Sequence, residues 1–276
     1  MSDNNDSSVA FLYTTTFGRC ILWFLLHCNY SGLAAFLFRT RLSSLFIKSF
    51  AKKHGIDLTP WQGQKFKSFA DFFIRKKDIS FDGEAEHLIS PCDSWLSVYP
   101  VDENSIFAIK GSHYKVADLI AGDTENLAAQ FNGGLCLIFR LCPTDYHRYL
   151  YIDDGFQGKN HFIKGMLHSV QPICAEKYPI YTLNRRMWTP LDTAHFGKVI
   201  QTEIGALVVG GINNYYEDVP MKKGDEMGRF EFAGSTITML FQKDKISLLP
   251  QIAGATRDGV EYKVSAGQQI GISFHA

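Results

Sequence analysis

Residues 227–241 read MGRFEFAGSTITMLF. Arg229-Phe230-Glu231-Phe232 and Thr236-Ile237-Thr238-Met239-Leu240-Phe241 alternate with period two, the pattern of β-strands, and small Ala233-Gly234-Ser235 joins them. Gly beside Ser is ordinary turn chemistry, so on spacing alone the stretch is a hairpin. The rest of the chain gives Gly234-Ser235 a second reading.

At 276 residues and 46% hydrophobic, the chain can bury one sizeable core or two modest ones. Lys+Arg and Asp+Glu both number 28, so no global basic field argues for nucleic acid. Six cysteines (Cys20, Cys28, Cys92, Cys136, Cys142, Cys174) include no CxxC pair and no histidine at zinc-ligand spacing. They read as reduced, buried small hydrophobes in a reducing compartment, with no metal site.

Charge is unevenly distributed. Between Ser7 and Ile56 there is no Asp or Glu, whereas Arg19, Arg39, Arg41, Lys48, Lys52 and Lys53 supply six positive charges. The apolar runs 20–26 and 33–38 are far shorter than the ~20 residues of a spanning helix. Asp3 and Asp6 stand where a secretory signal carries positive charge. Leu42, Leu45, Phe46 and Phe50 fall at helical spacing, which fits amphipathic helices, either lying in a membrane interface or packing on the protein's own core.

Residues 66–75, FKSFADFFIR, place aromatics at helical spacing and predict a short helix docking an aromatic stripe. After a polar linker at 76–86, short apolar runs separated by Gly, Pro and Asp predict strands around 96–100, 106–109, 135–141, 162–170, 205–212, 237–241 and 270–274, with a helix at 116–121. The fold class is therefore α+β: amphipathic N-terminal helices (1–65), then a β-rich core (66–276) of two packed small sheets. A weak echo, Gly224-x-x-x-Gly228 and Gly267-x-x-x-Gly271, precedes two of the strands.

Candidate chemistry gathers at Pro143-Thr144-Asp145-Tyr146-His147-Arg148-Tyr149, a charged cluster after an apolar strand. His147 is its natural proton-transfer group, although a structural histidine fits the same position. Asp93, in Ser90-Pro91-Cys92-Asp93-Ser94, is an acid in a tight turn. An Asp, a His and a Ser this far apart can converge as orienting acid, base and nucleophile, but their spacing does not bring them together. No GxSxG, HExxH, Walker or GxGxxG motif is present.

Taken in order, the blocks FKSFADFFIR (66–75), LISPCDS (88–94), IKGSHY (109–114), DYHRY (145–149), GMLHSV (165–170), LNRR (183–186), FGKVIQTEIGALVVGGI (196–212) and KKGDEMGRFEFAGSTI (222–237) resemble the phosphatidylserine decarboxylase proenzyme family. The resemblance implies a pyruvoyl-dependent lyase that cuts itself at Gly234-Ser235. The products would be a β chain, 1–234, and an α chain, 235–276, whose Ser235 becomes the covalent pyruvoyl cofactor. It assigns Ser235 as nucleophile, His147 as base and Asp93 as the acid orienting it, with neither pyridoxal phosphate nor metal. The partners it implies are a phospholipid substrate, an anionic membrane surface and a second copy in a homodimer; the location is peripheral on a membrane, at its cytoplasmic face.

Several positions depart from the family pattern. Ala233 replaces the Leu of LGST, Ser94 a usual Gly, Leu150 a second His, and Arg185 the Glu of Asn-Glu-Arg. These concern substrate contacts more than self-processing. A decarboxylase of a soluble amino acid and an uncleaved binding module of the same fold are the alternative readings.

Overall fold

Four helices lead the chain: α1 (Ser7–Thr14), α2 (Thr16–His27), α3 (Tyr30–Arg39) and α4 (Phe46–His54). They belong to a computed structural model that describes residues 7–27, 30–109, 112–123, 125–169, 172–175, 178–206, 211–231 and 235–274. α4 shows how such a helix stops: Gly55 takes φ +65°, and the Ile56 N–H reaches back to the Ala51 carbonyl at 2.9 Å. In α5 (Phe69–Phe73) the Ser68 hydroxyl caps the Asp71 N–H at 3.2 Å, and Phe69, Phe72 and Phe73 are buried. Phe69 and Phe72 pack with Ile47 of α4, so the aromatic stripe ties the N-terminal helices to the body.

The remaining chain is mostly antiparallel strand. In order come β1 (His87–Ile89), β2 (Ser94–Pro100), β3 (Ile106–Ile109), β4 (Ser112–Lys115), α6 (Val116–Leu119), β5 (Leu135–Leu141), β6 (Arg148–Leu150), β7 (Gly155–Gln157), β8 (His161–Ile163), α7 (Pro172–Ala175) and α8 (Ile180–Leu183). There follow β9 (Arg186–Thr193), β10 (Gly197–Gly205), β11 (Gly211–Asn214), β12 (Val219–Met221), β13 (Glu226–Glu231), β14 (Ser235–Phe241), β15 (Ile246–Leu248), α9 (Pro250–Arg257), β16 (Tyr262–Val264) and β17 (Gln269–Ser273). The α+β expectation holds, but the sheets are less equal than a pair of small ones. One nine-stranded sheet runs β12-β7-β9-β10-β14-β5-β2-β16 with β8 beside β9. Two three-stranded sheets, β1-β17-β15 and β11-β13-β6, and the β3-β4 hairpin complete it.

β14 is the central strand, and every residue from Ser235 to Phe241 is buried. Ile237, Met239 and Phe241 join Leu137, Phe139 and Val199 on one face of the large sheet. Leu240 joins Cys136, Ile138, Ile200 and Ile204 on the other, under α6 and α8. A strand covered on both faces loses strict polar alternation, and here Thr236 and Thr238 fill the second face.

The hairpin expectation for residues 227–241 does not hold. β13 pairs with β11 and β6, whereas β14 pairs with β10 and β5, so the two strands lie in different sheets. Residues 232–234, Gly234 of the expected turn among them, fall outside the described residues. Two flanking strands make the same passage between sheets. β10-β14-β5 stand side by side in the large sheet, and their chain neighbours β11-β13-β6 stand in the same order in the small one. The glycine echo has a physical basis as well. Gly224 and Gly267 both take positive φ, +83° and +80°, and both press on Phe81, where a Cβ would collide.

Candidate active site

Ser235 opens β14 at this corner, its Cα opposite Gly205 on one side and Leu141 on the other. It is 1% exposed, and its Oγ has no hydrogen-bond partner among the described residues. Thr236 and Thr238 further along β14 leave their hydroxyls unpartnered in the same way, and each such group has given up its bonds to water on folding.

Another such atom belongs to the neighbouring passage. The turn after β5 carries His147, whose carbonyl accepts the Phe230 N–H at 2.8 Å, five residues before Ser235. His147 is 1% exposed, and its Nε2 also lacks a partner among the described residues. Its Nδ1 lies 2.8 Å from the Asp145 carbonyl oxygen. A carbonyl can only accept, so Nδ1 carries the proton and Nε2 presents a bare lone pair. Burial, reinforced by Arg75 and Lys263, pushes the imidazole down to about 3, which keeps it neutral across the physiological range. Phe73 of α5 covers the ring at a centroid distance of 4.1 Å. Ser235 thus starts β14 opposite Leu141, the last residue of β5, and His147 lies in the turn that follows β5; no hydrogen bond joins the two.

Asp93 is engaged elsewhere. Its Oδ1 accepts the Ala266 N–H at 2.8 Å and its Oδ2 the Lys77 ammonium at 3.2 Å. No hydrogen bond joins it to His147, whose orientation comes from the Asp145 backbone. The turn is held on its outer side as well: the Asp145 carboxylate accepts from the Cys142 N–H and from Lys263 Nζ, at 2.8 and 2.7 Å. Arg75 donates to the Thr144 carbonyl, and Arg148 to the carbonyls of Ile74 and Arg75. Leu150, the position of a second histidine in the resemblance, is buried and donates its N–H to the Pro91 carbonyl.

Two residues of the corner escaped the sequence reading. Asn184, fully buried, accepts the His168 N–H and donates Nδ2 to the carbonyls of His168 and Gly205, each at 2.8 Å. The Gly205 N–H goes to Arg185, so both polar groups of Gly205 point toward β9 and its pairing with Ser235 is of the non-hydrogen-bonded kind. The same His168 ring meets the Tyr13 hydroxyl of α1 at 3.1 Å, which connects the first helix to the corner. Glu203, also fully buried, lies two residues before Gly205 and hence on the same sheet face as Ser235. Gln201 and Asn214 donate to it at 2.6 and 3.3 Å, and burial raises its carboxyl to about 7. A carboxylate inside the run Val199-Ile200-Gln201-Thr202-Glu203-Ile204 was the only sign of it in the sequence.

These residues lie in the stretch matched by the profile of the family described as phosphatidylserine decarboxylase, residues 66–272. The chain belongs to the phosphatidylserine decarboxylase family. Its relatives include phosphatidylserine decarboxylase proenzyme 2 of Clostridium acetobutylicum, 40% identical over 270 residues, covering 96% of this chain and 92% of the relative. The proenzyme of Clostridium tetani is 40% identical over 243 residues (85% and 81%), and that of Ruminiclostridium cellulolyticum 38% over 269 (94% and 89%). The family profile begins just before α5, whereas the Clostridium acetobutylicum relative also spans the N-terminal helices. Among the described residues no helix is long and apolar enough to cross a membrane. The helices leave Phe17, Trp23, Phe24, Phe36, Leu42 and Phe46 more than half exposed.

Proposed function

We propose that this chain is a phosphatidylserine decarboxylase proenzyme that cleaves itself between Gly234 and Ser235. The observation that carries the proposal is the family match over residues 66–272, supported by a buried Ser235 at the start of β14 and a buried neutral His147 in the turn after the neighbouring β5. His147 Nε2 takes the Ser235 hydroxyl proton, and Oγ adds to the Gly234 carbonyl carbon. The C–N bond then breaks, its nitrogen gains a proton, and an ester replaces the amide. Loss of the Ser235 Cα proton and cleavage of Cβ–Oγ release the Gly234 carboxylate and leave dehydroalanine. Water converts this to a pyruvoyl group and ammonia. A base used once per molecule can be weak, which suits a histidine held neutral by burial.

The pyruvoyl group supplies an electron sink for loss of carbon dioxide from the serine headgroup. His147 Nε2 first takes the proton that the substrate ammonium sheds on binding and then returns it to the product carbon, while the Nδ1 proton stays on the Asp145 carbonyl. Asp93 acts through Lys77 and the Ala266 loop, which frame the same turn. The basic, apolar N-terminal region (1–65) binds an anionic membrane from its cytoplasmic face, where each basic residue adds about 1 kcal/mol. Intact-mass measurement of freshly purified protein tests the central step. Two fragments, the smaller starting at position 235 with no free amine, are expected; a single full-length mass with serine at 235 would refute it.

A further inference from the structure

The turn that carries His147 is gripped from the edge of the large sheet. β16 is the edge strand there, and it pairs with β2 so that Lys263 stands opposite Trp95, which in turn stands opposite Arg140 of β5. Residues opposite one another in antiparallel strands share a face, so all three side chains project to the same side. Lys263 lies over the Trp95 ring, 5.4 Å from its centroid, and its Nζ reaches the Asp145 carboxylate at 2.7 Å. The Asp145 side chain is 10% exposed and that of Lys263 43%. Just before β16, Glu261 accepts from Arg140 Nε at 2.8 Å in a separate ion pair.

Asp145 is the residue whose backbone aims the base. Its carbonyl holds the His147 Nδ1 proton, its N–H donates to the Cys142 carbonyl at 2.9 Å, and its carboxylate accepts the Cys142 N–H at 2.8 Å. Those bonds all lie within residues 142–147. Among the described residues, Lys263 makes the only bond to Asp145 from outside that turn. A carbonyl that is free to swing no longer fixes the imidazole, whose proton then exchanges between Nδ1 and Nε2, and a proton on Nε2 abolishes the base. A lysine on an edge strand also keeps one sheet from pairing with another, but that role needs only charge, whereas Lys263 is folded back over Trp95 onto a carboxylate.

We propose that Lys263 is a positioning residue for His147, acting through Asp145. The proposal rests on the decarboxylase reading above, and it gives the fragment 235–276 two parts in the site: Ser235 itself and the side chain that aims the base of the other fragment. Nitrogen-15 NMR of the histidine-labelled full chain, made uncleavable by Ser235→Ala, reads the tautomer at neutral pH, and His147→Asn identifies the signal. A protonated Nδ1 and a bare Nε2 are expected in this background. Lys263→Met is expected to average the two nitrogens, and Lys263→Arg to restore the difference between them. Asp145→Asn keeps an acceptor for the Cys142 N–H but gives up the ion pair, and it is expected to average them too, which judges the proposal from the other partner. With Ser235 intact, Lys263→Met is expected to fragment about five- to tenfold more slowly on a denaturing gel, the loss of one partly exposed charge-assisted bond. Glu261→Gln breaks the neighbouring ion pair without touching Asp145, and is expected to change neither tautomer nor rate. A fixed tautomer in Lys263→Met and Asp145→Asn, or an equal loss in Glu261→Gln, would overturn the role and leave Lys263 an edge-strand charge. A wild-type chain that makes no small fragment would count against the decarboxylase reading alone, since the tautomer is read without cleavage.

Discussion

At the scale of single residues, the corner separates roles that residue type alone merges. Ser235→Ala is expected to abolish fragmentation, and His147→Ala to slow it by about a hundredfold or more, the usual reach of a positioned base. Asp93 makes no hydrogen bond to His147, so Asp93→Asn, which retains an acceptor for Ala266, is expected to slow fragmentation by less than about tenfold. A gel time course of all three variants measures this, and equal loss in the Asp93 and His147 variants would show that Asp93 acts directly on the imidazole. Ser235 and His147 were singled out in the sequence through the family resemblance. The partner of the His147 ring was not, since any residue's carbonyl could serve and only the turn's path chose Asp145.

Among elements, Asn184 joins three segments that the sequence scatters: the 165–169 loop, the end of β10 and, through His168, helix α1. Asn184→Ala would leave the His168 N–H and the Gly205 carbonyl buried without partners. A loss of roughly 2–4 kcal/mol is expected in denaturant unfolding, accompanied by slower fragmentation because the strand beside Ser235 is released. Tyr13→Phe removes only the hydroxyl that meets His168 and the Ser169 N–H, and is expected to cost about 1–2 kcal/mol. Faster proteolysis within α1 would report that loss. Strand positions were readable from apolar runs; strand partners were not. MGRFEFAGSTITMLF contains both strands correctly, but local pattern favours the shortest connection, and only the pairing of β13 with β6 and of β14 with β5 sends them to different sheets.

For the whole molecule, Glu203 gives stability a pH dependence. Its carboxyl is raised from the ordinary 4.5 to about 7, so the folded state holds a proton that the unfolded state has released between those values. Stability from this group is complete below about pH 4.5 and declines as pH rises through about 7, by about 3 kcal/mol in all. Glu203→Gln is expected to flatten that decline in melting temperature between about pH 4.5 and 7, and an unaltered profile would show that the carboxylate is not its source. His147 works in the opposite sense. Its lowered value means that the unfolded chain binds the extra proton below about 6.5, so acid removes stability there. At the membrane, flotation with anionic vesicles is expected to weaken as salt screens the basic residues of 7–56, leaving the part contributed by Trp23, Phe24 and Phe36.

The central place of β14 bears on what a cut at residue 234 does to the assembly. The fragment 235–276 would keep the middle strand of the nine-stranded sheet, paired along its whole length with β10 and β5, both of which belong to the other fragment. Separating the two pieces therefore requires the same work as unfolding the sheet. A scission at this point changes the number of chains without creating a dissociation equilibrium, and gel filtration of the processed protein is expected to give one peak at any dilution at which the fold survives.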